Sequence, residues 1–442
     1  MTQFFIALFV FLVIPNVLCK VFRVKKILPL VFLQLFFGVL INATGFAEQL
    51  NAFHINLLQG QLASALEGLG WLGVALLVAI TGDEVAPQSA SEQSARWLVG
   101  TISVMGFAST FLLGSTIGYG LALYHPELMG PLGMPWVFAS GVGIALAVTA
   151  LPVLLVIVRQ ADLAEHPIAK LATNCAMLDD LWLWLGMTAV LACATSTAAS
   201  LVWLVVGLVA YLGLMFWLVR PALQKWYGRA SEHGQLDGLM VAIAVILMSA
   251  ALTGMIGLHS IFGSFVAGVV LPREALRRWR ETMQQLIHIT LLPAFFILTG
   301  MHLNLDVRSS AFWEVTAIVT VGAVLGKMAS VAVCARCLGL SWKKGFALGS
   351  LMQCKGLMEL IAINILLDAG IISRNLFSEL AMMAMISTFV TLPMMRLFIR
   401  LDATGFFLIN YQKSKISYLM SRSDCQPILA LLNKCSQRQF RR

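Results

Sequence analysis

Between Thr2 and Arg400 the chain repeats one pattern: an apolar run of about twenty residues, a short polar stretch, then another apolar run. An α-helix needs about 20 apolar residues to cross the hydrocarbon core of a bilayer. Thirteen such runs are expected as spans, near residues 2–19, 27–45, 62–82, 97–123, 135–158, 168–193, 196–219, 236–254, 256–271, 284–303, 312–334, 345–367 and 376–400. Charged residues are 12% of the 442 and hydrophobic ones 59%, with a mean hydropathy of +0.87. Soluble domains carry about a quarter of charged residues, so this chain cannot cover a water-facing globule. A soluble enzyme and a disordered chain are excluded, and the expected fold class is an all-α polytopic membrane protein. The first run has no basic residues ahead of it, contains Pro15 and is followed by Lys20 and Arg23. It is read as a retained helix rather than a signal peptide.

The basic residues orient the spans. Thirteen crossings put the termini on opposite sides. With the C-terminus in the cytoplasm and the N-terminus outside, 26 of the 30 Lys and Arg lie on the cytoplasmic side. Only Arg308 and Arg374 lie on the other, as the positive-inside rule requires. The expected location is the cell's inner (plasma) membrane. Residues 401–442 form a basic cytoplasmic tail, in which Lys413, Lys415, Arg422, Arg441 and Arg442 alternate with Phe406, Tyr411 and Tyr418. Such a tail suits the headgroups of an anionic leaflet. The charges sit between apolar runs rather than on a soluble face, so no nucleic-acid partner is expected.

Lys327 and Lys355 remain, and they lie inside spans together with Asp179, Asp180 and Glu359. Each ionisable group at the centre of a membrane helix costs about 2.5–3.5 kcal/mol on insertion scales. Groups this expensive persist where they face one another or an aqueous cavity. Asp179 and Asp180, in LATNCAMLDDLWLW, are neighbours about 100° apart on a helix and flank one inward sector. Two like charges there cannot both ionise cheaply. The pair can hold one proton, two protons or a small hard monovalent cation on its oxygens. Ion and protons then compete, and that competition by itself couples the movement of one to the other. Lys327 is too far from either span end to snorkel, and its simplest partner is one of the aspartates. Lys355 and Glu359 are four apart, on one face of a helix, and can pair with each other as a structural device or as part of the site.

Two spans look interrupted. One holds Thr149 and Pro152 in GVGIALAVTALPVLLVI; the other holds Gly356 after Gln353-Cys354-Lys355. Pro152 cannot donate a backbone hydrogen bond, and broken helices expose backbone that must line a cavity rather than lipid. They are the fifth and the twelfth spans. If residues 1–193 and 236–400 are repeats joined by a linker helix at 196–219, each broken span is the fifth of its half. The halves start from opposite sides, so the repeats are inverted. Broken helices at matching places in inverted repeats point to a transporter's ion site.

Other motifs are plainer. Cys334 and Cys337 form a CxxC at a span end and read as reduced packing thiols, and no disulfide framework is implied. The histidines show no metal spacing. Met382, Met383 and Met385 read as helix packing, and Gly254, Gly257, Gly263 and Gly268 as close helix contacts. Neither a P-loop nor a dinucleotide fingerprint is present, so ATP-driven transport is disfavoured and no cofactor is expected. Intramembrane aspartyl proteolysis would need acids on two helices and a GxGD context; prenyl transfer would need a third acid after Asp179-Asp180. Neither is found.

The stretches ALAVTALPVL, LATNCAMLDDLWLW, HSIFGSFVAGVVLPRE (259–274), LLPAFFILTGMHLNL (291–305), Gly326-Lys327 and KGLMELIAIN from Lys355 together resemble the second family of monovalent cation:proton antiporters. The resemblance covers about residues 5–400. It implies the sodium/proton antiporter fold: about thirteen helices, inverted repeats, two crossing broken helices, a mobile core domain and a dimerisation domain that makes a homodimer. It implies that Asp179 and Asp180 carry the ion (Na+ or K+) and the protons, with Thr149 at the first unwound helix. Lys327 then pairs with Asp179 until the cation binds, and Lys355 and Glu359 mark the second unwound helix. Adjacent acids with such a lysine are typical of electrogenic members. The chain departs from many relatives in reading AITGDEVAP (79–87) at the end of the third span. The alternative on the same scaffold is a proton-coupled organic-anion transporter.

Overall fold

The computed structural model describes residues 2–21, 30–44, 60–85, 93–160, 163, 166–195, 198–228, 235–272, 280–303 and 308–420. Among them the chain is helical throughout, with a single isolated β-bridge between Met129 and Ile372. The helices are α1 (Thr2–Val21), α2 (Leu30–Ala43), α3 (Gly60–Val85), α4 (Gln93–Tyr124), α5 (Pro135–Ala147), α6 (Leu151–Gln160) and α7 (Pro167–Thr195). Then come α8 (Ala198–Gly213), α9 (Arg220–Gly228), α10 (Gln235–Ile256), α11 (Ser260–Val270), α12 (Arg280–Leu286), α13 (Leu292–His302), α14 (Ser310–Cys337), α15 (Trp342–Met352), α16 (Leu357–Asp368) and α17 (Arg374–Met420). Single π-helical turns join α8 to α9 and α12 to α13.

Each expected span overlaps a helix or a helix pair. By length and composition eight helical segments can cross a membrane among the described residues, and α15 with α16 makes a ninth, bent by 53°. α1, α2, α5 and α11 contain shorter apolar segments. The last candidate span covers Arg374–Phe398, and its helix, α17, runs on to Met420. The rest of the basic tail and the loop of Arg273, Arg277 and Arg278 lie outside the described residues.

Both interrupted spans are broken. The first pauses at Val148, Thr149 and Ala150, between α5 and α6. Pro152 is the second residue of α6, where a missing N–H costs nothing, so it opens a new half-helix. The second break runs from Gln353 to Gly356. Gly356 has φ +148°, and a Cβ there would press on Val153; only glycine accepts that backbone without strain.

The helices pack in two groups. α4 to α7 pack with α14 to α17, and α1 to α3 with α10 to α13. Small residues set the tightest contacts, as expected where lipid removes the hydrophobic drive between helices. A Cβ on Gly38 of α2 would run into the Ile297 carbonyl of α13, and one on Gly300 into the Leu35 carbonyl. Gly82 of α3 and Gly268 of α11 meet the Phe265 and Ala79 carbonyls in the same reciprocal way. In the other group Gly114 and Gly118 of α4 seat α5, and Gly345 and Gly349 of α15 seat α14. Of the four glycines singled out in sequence, Gly263 and Gly268 are such contacts. Gly257 instead makes a turn, with φ +92° and open space around it.

Gly268→Val is expected to destabilise the protein by about 1–3 kcal/mol by overpacking α3. Gly68→Ala, at a helix position with open space, is expected to change stability by less than about 1 kcal/mol. Thermal unfolding in detergent compares the two; equal midpoints would show that the glycine contact does not set the spacing.

Candidate ion site at the crossing of two broken helices

The site follows from the backbone groups that the two breaks leave over. A helix end exposes its last four carbonyls, and buried carbonyls need donors. At the end of α5, Val148 N–H bonds the Ile144 carbonyl at 3.2 Å. The next three carbonyls are taken by two buried ammonium groups. Lys355 Nζ donates to Ala145 and Leu146 at 2.7 and 2.8 Å, and Lys327 Nζ donates to Ala147 at 2.7 Å. Cations at the negative end of a helix are favoured by its dipole.

The second break is satisfied from outside the span. Thr149 Oγ1 lies 2.6 Å from the Met352 carbonyl. Ser387 Oγ donates to the Gln353 carbonyl at 2.8 Å, Ala150 N–H to Cys354 at 2.9 Å, and Thr388 Oγ1 to Lys355 at 2.7 Å. Each break thus supplies donors to the other, and α17 supplies the rest. The loops beyond are stitched too: Gly130 and Leu132 N–H bond Ile371 and Gly370, and Ser373 N–H bonds Leu128.

Asp179 sits at this crossing, on α7, and is fully buried. Its Oδ2 accepts from Lys327 Nζ at 2.6 Å and lies 2.7 Å from Thr149 Oγ1. Its Oδ1 accepts from Ser103 Oγ of α4 at 2.7 Å. Four separate segments therefore meet on one carboxylate. Lys327 also stands 5.7 Å over the Phe107 ring, a favourable place for a cation. Asp180, next on the helix, is equally buried. A buried ion pair of this kind gains little net stability, but losing one partner strands the other charge.

The structure therefore brings Asp179, Thr149 and Lys327 into one hydrogen-bonded cluster. Lys355 and Glu359 lie beside it, also fully buried, and form the ion pair their spacing suggests. Lys355 Nζ is 3.6 Å from Glu359 Oε2, a buried ion pair at helical spacing, longer than a hydrogen bond. The lysine's bonds go to α5. Residue 355 lies in the break and 359 in the first turn of α16, so the pair spans the start of the second half-helix. Sequence reasoning did not single out Ser103, Ser387 or Thr388. It also passed over Glu379, an acid in α17 that is only 4% exposed.

Two cavities are found among the described residues. One of about 340 Å³ is walled by aromatic and aliphatic groups of α4, α5 and α7, including Phe107, Trp136 and Trp182. The other, about 210 Å³, is lined by Glu67, Thr299, His302, Asn364 and Asp368. There Asn364 Nδ2 donates to Thr299 Oγ1 at 2.9 Å, joining α16 to α13 across the two packing groups.

A sequence profile described as "Sodium/hydrogen exchanger, transmembrane" matches residues 5–397. The chain belongs to this family. The Na+/H+ antiporter NhaS4 of Synechocystis is 31% identical over 74% of this chain and 80% of that protein. Cation/H+ antiporter 17 of Arabidopsis thaliana is 27% identical over 83% of this chain and 45% of its own length. K+/H+ antiporter 1 of Saccharomyces cerevisiae is 29% identical over 59% of this chain and 31% of its own. This exchanger-family chain thus spans less than half the length of the plant and yeast relatives. Its fold is similar to that of the sodium proton antiporter MjNhaP1 from Methanocaldococcus jannaschii, with a TM-score of 0.54 at 16% identity over 90% of this chain and 95% of that one.

Lys355→Met strands Glu359 and two carbonyls, and a loss of about 3–5 kcal/mol is expected. Glu359→Gln leaves the lysine on α5 and is expected to cost far less. Unfolding midpoints in detergent would contradict this role for Lys355 if the two variants lost the same stability.

Proposed function

We propose that the chain is a secondary active antiporter that exchanges a monovalent cation, Na+ or K+, for protons. The observation that carries this reading is the buried Asp179 carboxylate, held by Lys327 at 2.6 Å where the two broken helices cross. Protons, cation and ammonium group compete for the same few oxygens. A cation that reaches Asp179 must displace Lys327 and any proton on the pair, so binding one species expels another. The names of the Synechocystis and yeast relatives, with Na+/H+ and K+/H+ antiport, support the class and leave both cations open. The names of those relatives, cation/proton antiporters, favour this reading over a proton-coupled organic-anion transporter.

Transport proceeds by alternating access, with α4 to α7 and α14 to α17 moving as one body against the rest. The inverted-repeat division supports this motion. Counting α5–α6 as the fifth span and α15–α16 as the twelfth, the α2–α13 contact exchanges with the α11–α3 contact when one repeat is mapped on the other. The α4–α5 contact maps on α14–α15 in the same way. The protein sits in the plasma membrane with its N-terminus outside, its C-terminus in the cytoplasm and its basic tail on the headgroups, and it works as a homodimer. Adjacent acids with a membrane lysine favour electrogenic exchange, as in the relatives that the motifs resemble.

Asp180→Asn is expected to abolish the collapse of a pH gradient by added Na+ or K+ in everted vesicles or proteoliposomes. Exchange at the wild-type rate in that variant would contradict the proposal.

A further inference from the structure

The cavity of about 210 Å³ lies where the two packing groups meet. Its walls come from α3 and α13 on one side and from α16 on the other. It grades from water into dry protein. Glu67 of α3 and Asp368 of α16 are exposed at its mouth, and His302 of α13 is half-buried. The field of Glu67 acts on both Asp368 and His302, and that of Arg374 on His302. At the floor Thr299 is only 1% exposed and Asn364 8%. Asn364 is about two turns, roughly 10 Å, along α16 from the second break.

One hydrogen bond spans that floor, from Asn364 Nδ2 to Thr299 Oγ1 at 2.9 Å. Both partners are unusual for their helices. Thr110, Thr290 and Thr391 donate to the carbonyl four residues back on their own helix, the common habit of a helical threonine. Among the described residues Thr299 makes no such bond and accepts from α16 instead. Between Glu359 and Asp368, Asn364 is the one polar residue in an apolar run. A buried carboxamide is costly unless it is bonded, and here its partner belongs to the opposite packing group. An amide and a hydroxyl suit a seam that must both close and open. Together they are satisfied dry, and apart each is satisfied by water.

We propose that this cavity is the outer approach of the transported cation, and that the Asn364–Thr299 bond is the latch that closes it in the arrangement described. The proposal rests on the alternating-access reading above and extends it. The topology of that reading places the start of α3 and the ends of α13 and α16 on the outer face, where the mouth of the cavity lies. Glu67 and Asp368, one from each moving part, draw cations to that mouth. Parting the latch opens the seam along α16 towards the break.

A latch sets the population of the state open to one side, so its loss must act differently on the two faces. Right-side-out and everted vesicles carrying the full chain are titrated with NaCl and KCl, so that each face of the protein is read in turn. Thr299→Val and Asn364→Ala remove the bond from either end, and Thr299→Ser keeps it. Loss of one neutral buried hydrogen bond moves a two-state equilibrium by roughly two- to tenfold. The half-saturating cation concentration is expected to fall by about that factor from the outer face and to hold steady or rise from the cytoplasmic face, with serine at wild-type values. A merely structural role would move both faces alike. In a second measurement Thr299→Cys and Asn364→Cys are combined and bridged by a short reducible bis-thiosulfonate, with the bridge verified by mass. Exchange is expected to stop, to return on reduction, and to persist in each single-cysteine variant under the same reagent. An unchanged outer half-saturation, equal shifts on both faces, or exchange through the bridged double variant would overturn the latch and leave antiport standing. A wild type that exchanges neither cation would sink the exchange reading, and the latch with it.

Discussion

The site depends on one buried carboxylate that is never alone. Asp179 meets an ammonium group and two hydroxyls inside a helical bundle, where an uncompensated charge would cost several kcal/mol. Its partners come from α4, α14 and the first break, so the carboxylate joins helices that are far apart in sequence. Lys327 answers the same charge and caps α5 through Ala147. A single displacement of that ammonium group frees a carboxylate oxygen and a helix end together. In the proposed exchange, ion binding and helix movement would be tied to this one contact.

The breaks are stable because their backbone is accounted for. Between Ile144 and Ala147 every carbonyl has a donor, and from Met352 to Lys355 every carbonyl meets a hydroxyl or an N–H. Membrane proteins tolerate irregular backbone only where protein or water satisfies it. Here protein does so, and much of that protein is the other break. The crossing is therefore a mutual cap, and a shift of one half-helix changes the hydrogen bonding of the other. The proposed exchange by a moving body would use this coupling.

The charged residues of this arrangement were legible in the sequence because membrane burial makes charge conspicuous. Asp179, Asp180 and Lys327 stand out in apolar runs, and Thr149 stands out beside Pro152 at an interruption. Ser103, Ser387 and Thr388 did not, since serine and threonine are unremarked in membrane helices until a neighbour's orphan carbonyl or carboxylate is known. Lys355 and Glu359 were visible as charges, and their spacing of four matches the ion pair they form. What the spacing did not show is that Lys355 also caps α5, because composition does not reveal which carbonyls a helix break leaves open. Gly257 was read as a packing residue for a similar reason: composition does not distinguish a glycine chosen for its absent side chain from one chosen for its backbone. The extension of α17 past residue 400 also escaped, because a polar helical segment lacks the apolar signal by which spans are counted.

The most direct measurement follows protons on binding alone, without transport. Purified protein in weakly buffered detergent solution is mixed with NaCl or KCl, and the pH change is read against a choline chloride control. Competition at Asp179 and Asp180 predicts proton release that saturates with the alkali cation and is absent from Asp179→Asn. Cation binding demonstrated by calorimetry with no proton release across the titratable range would contradict the claim that the two ions share one set of oxygens.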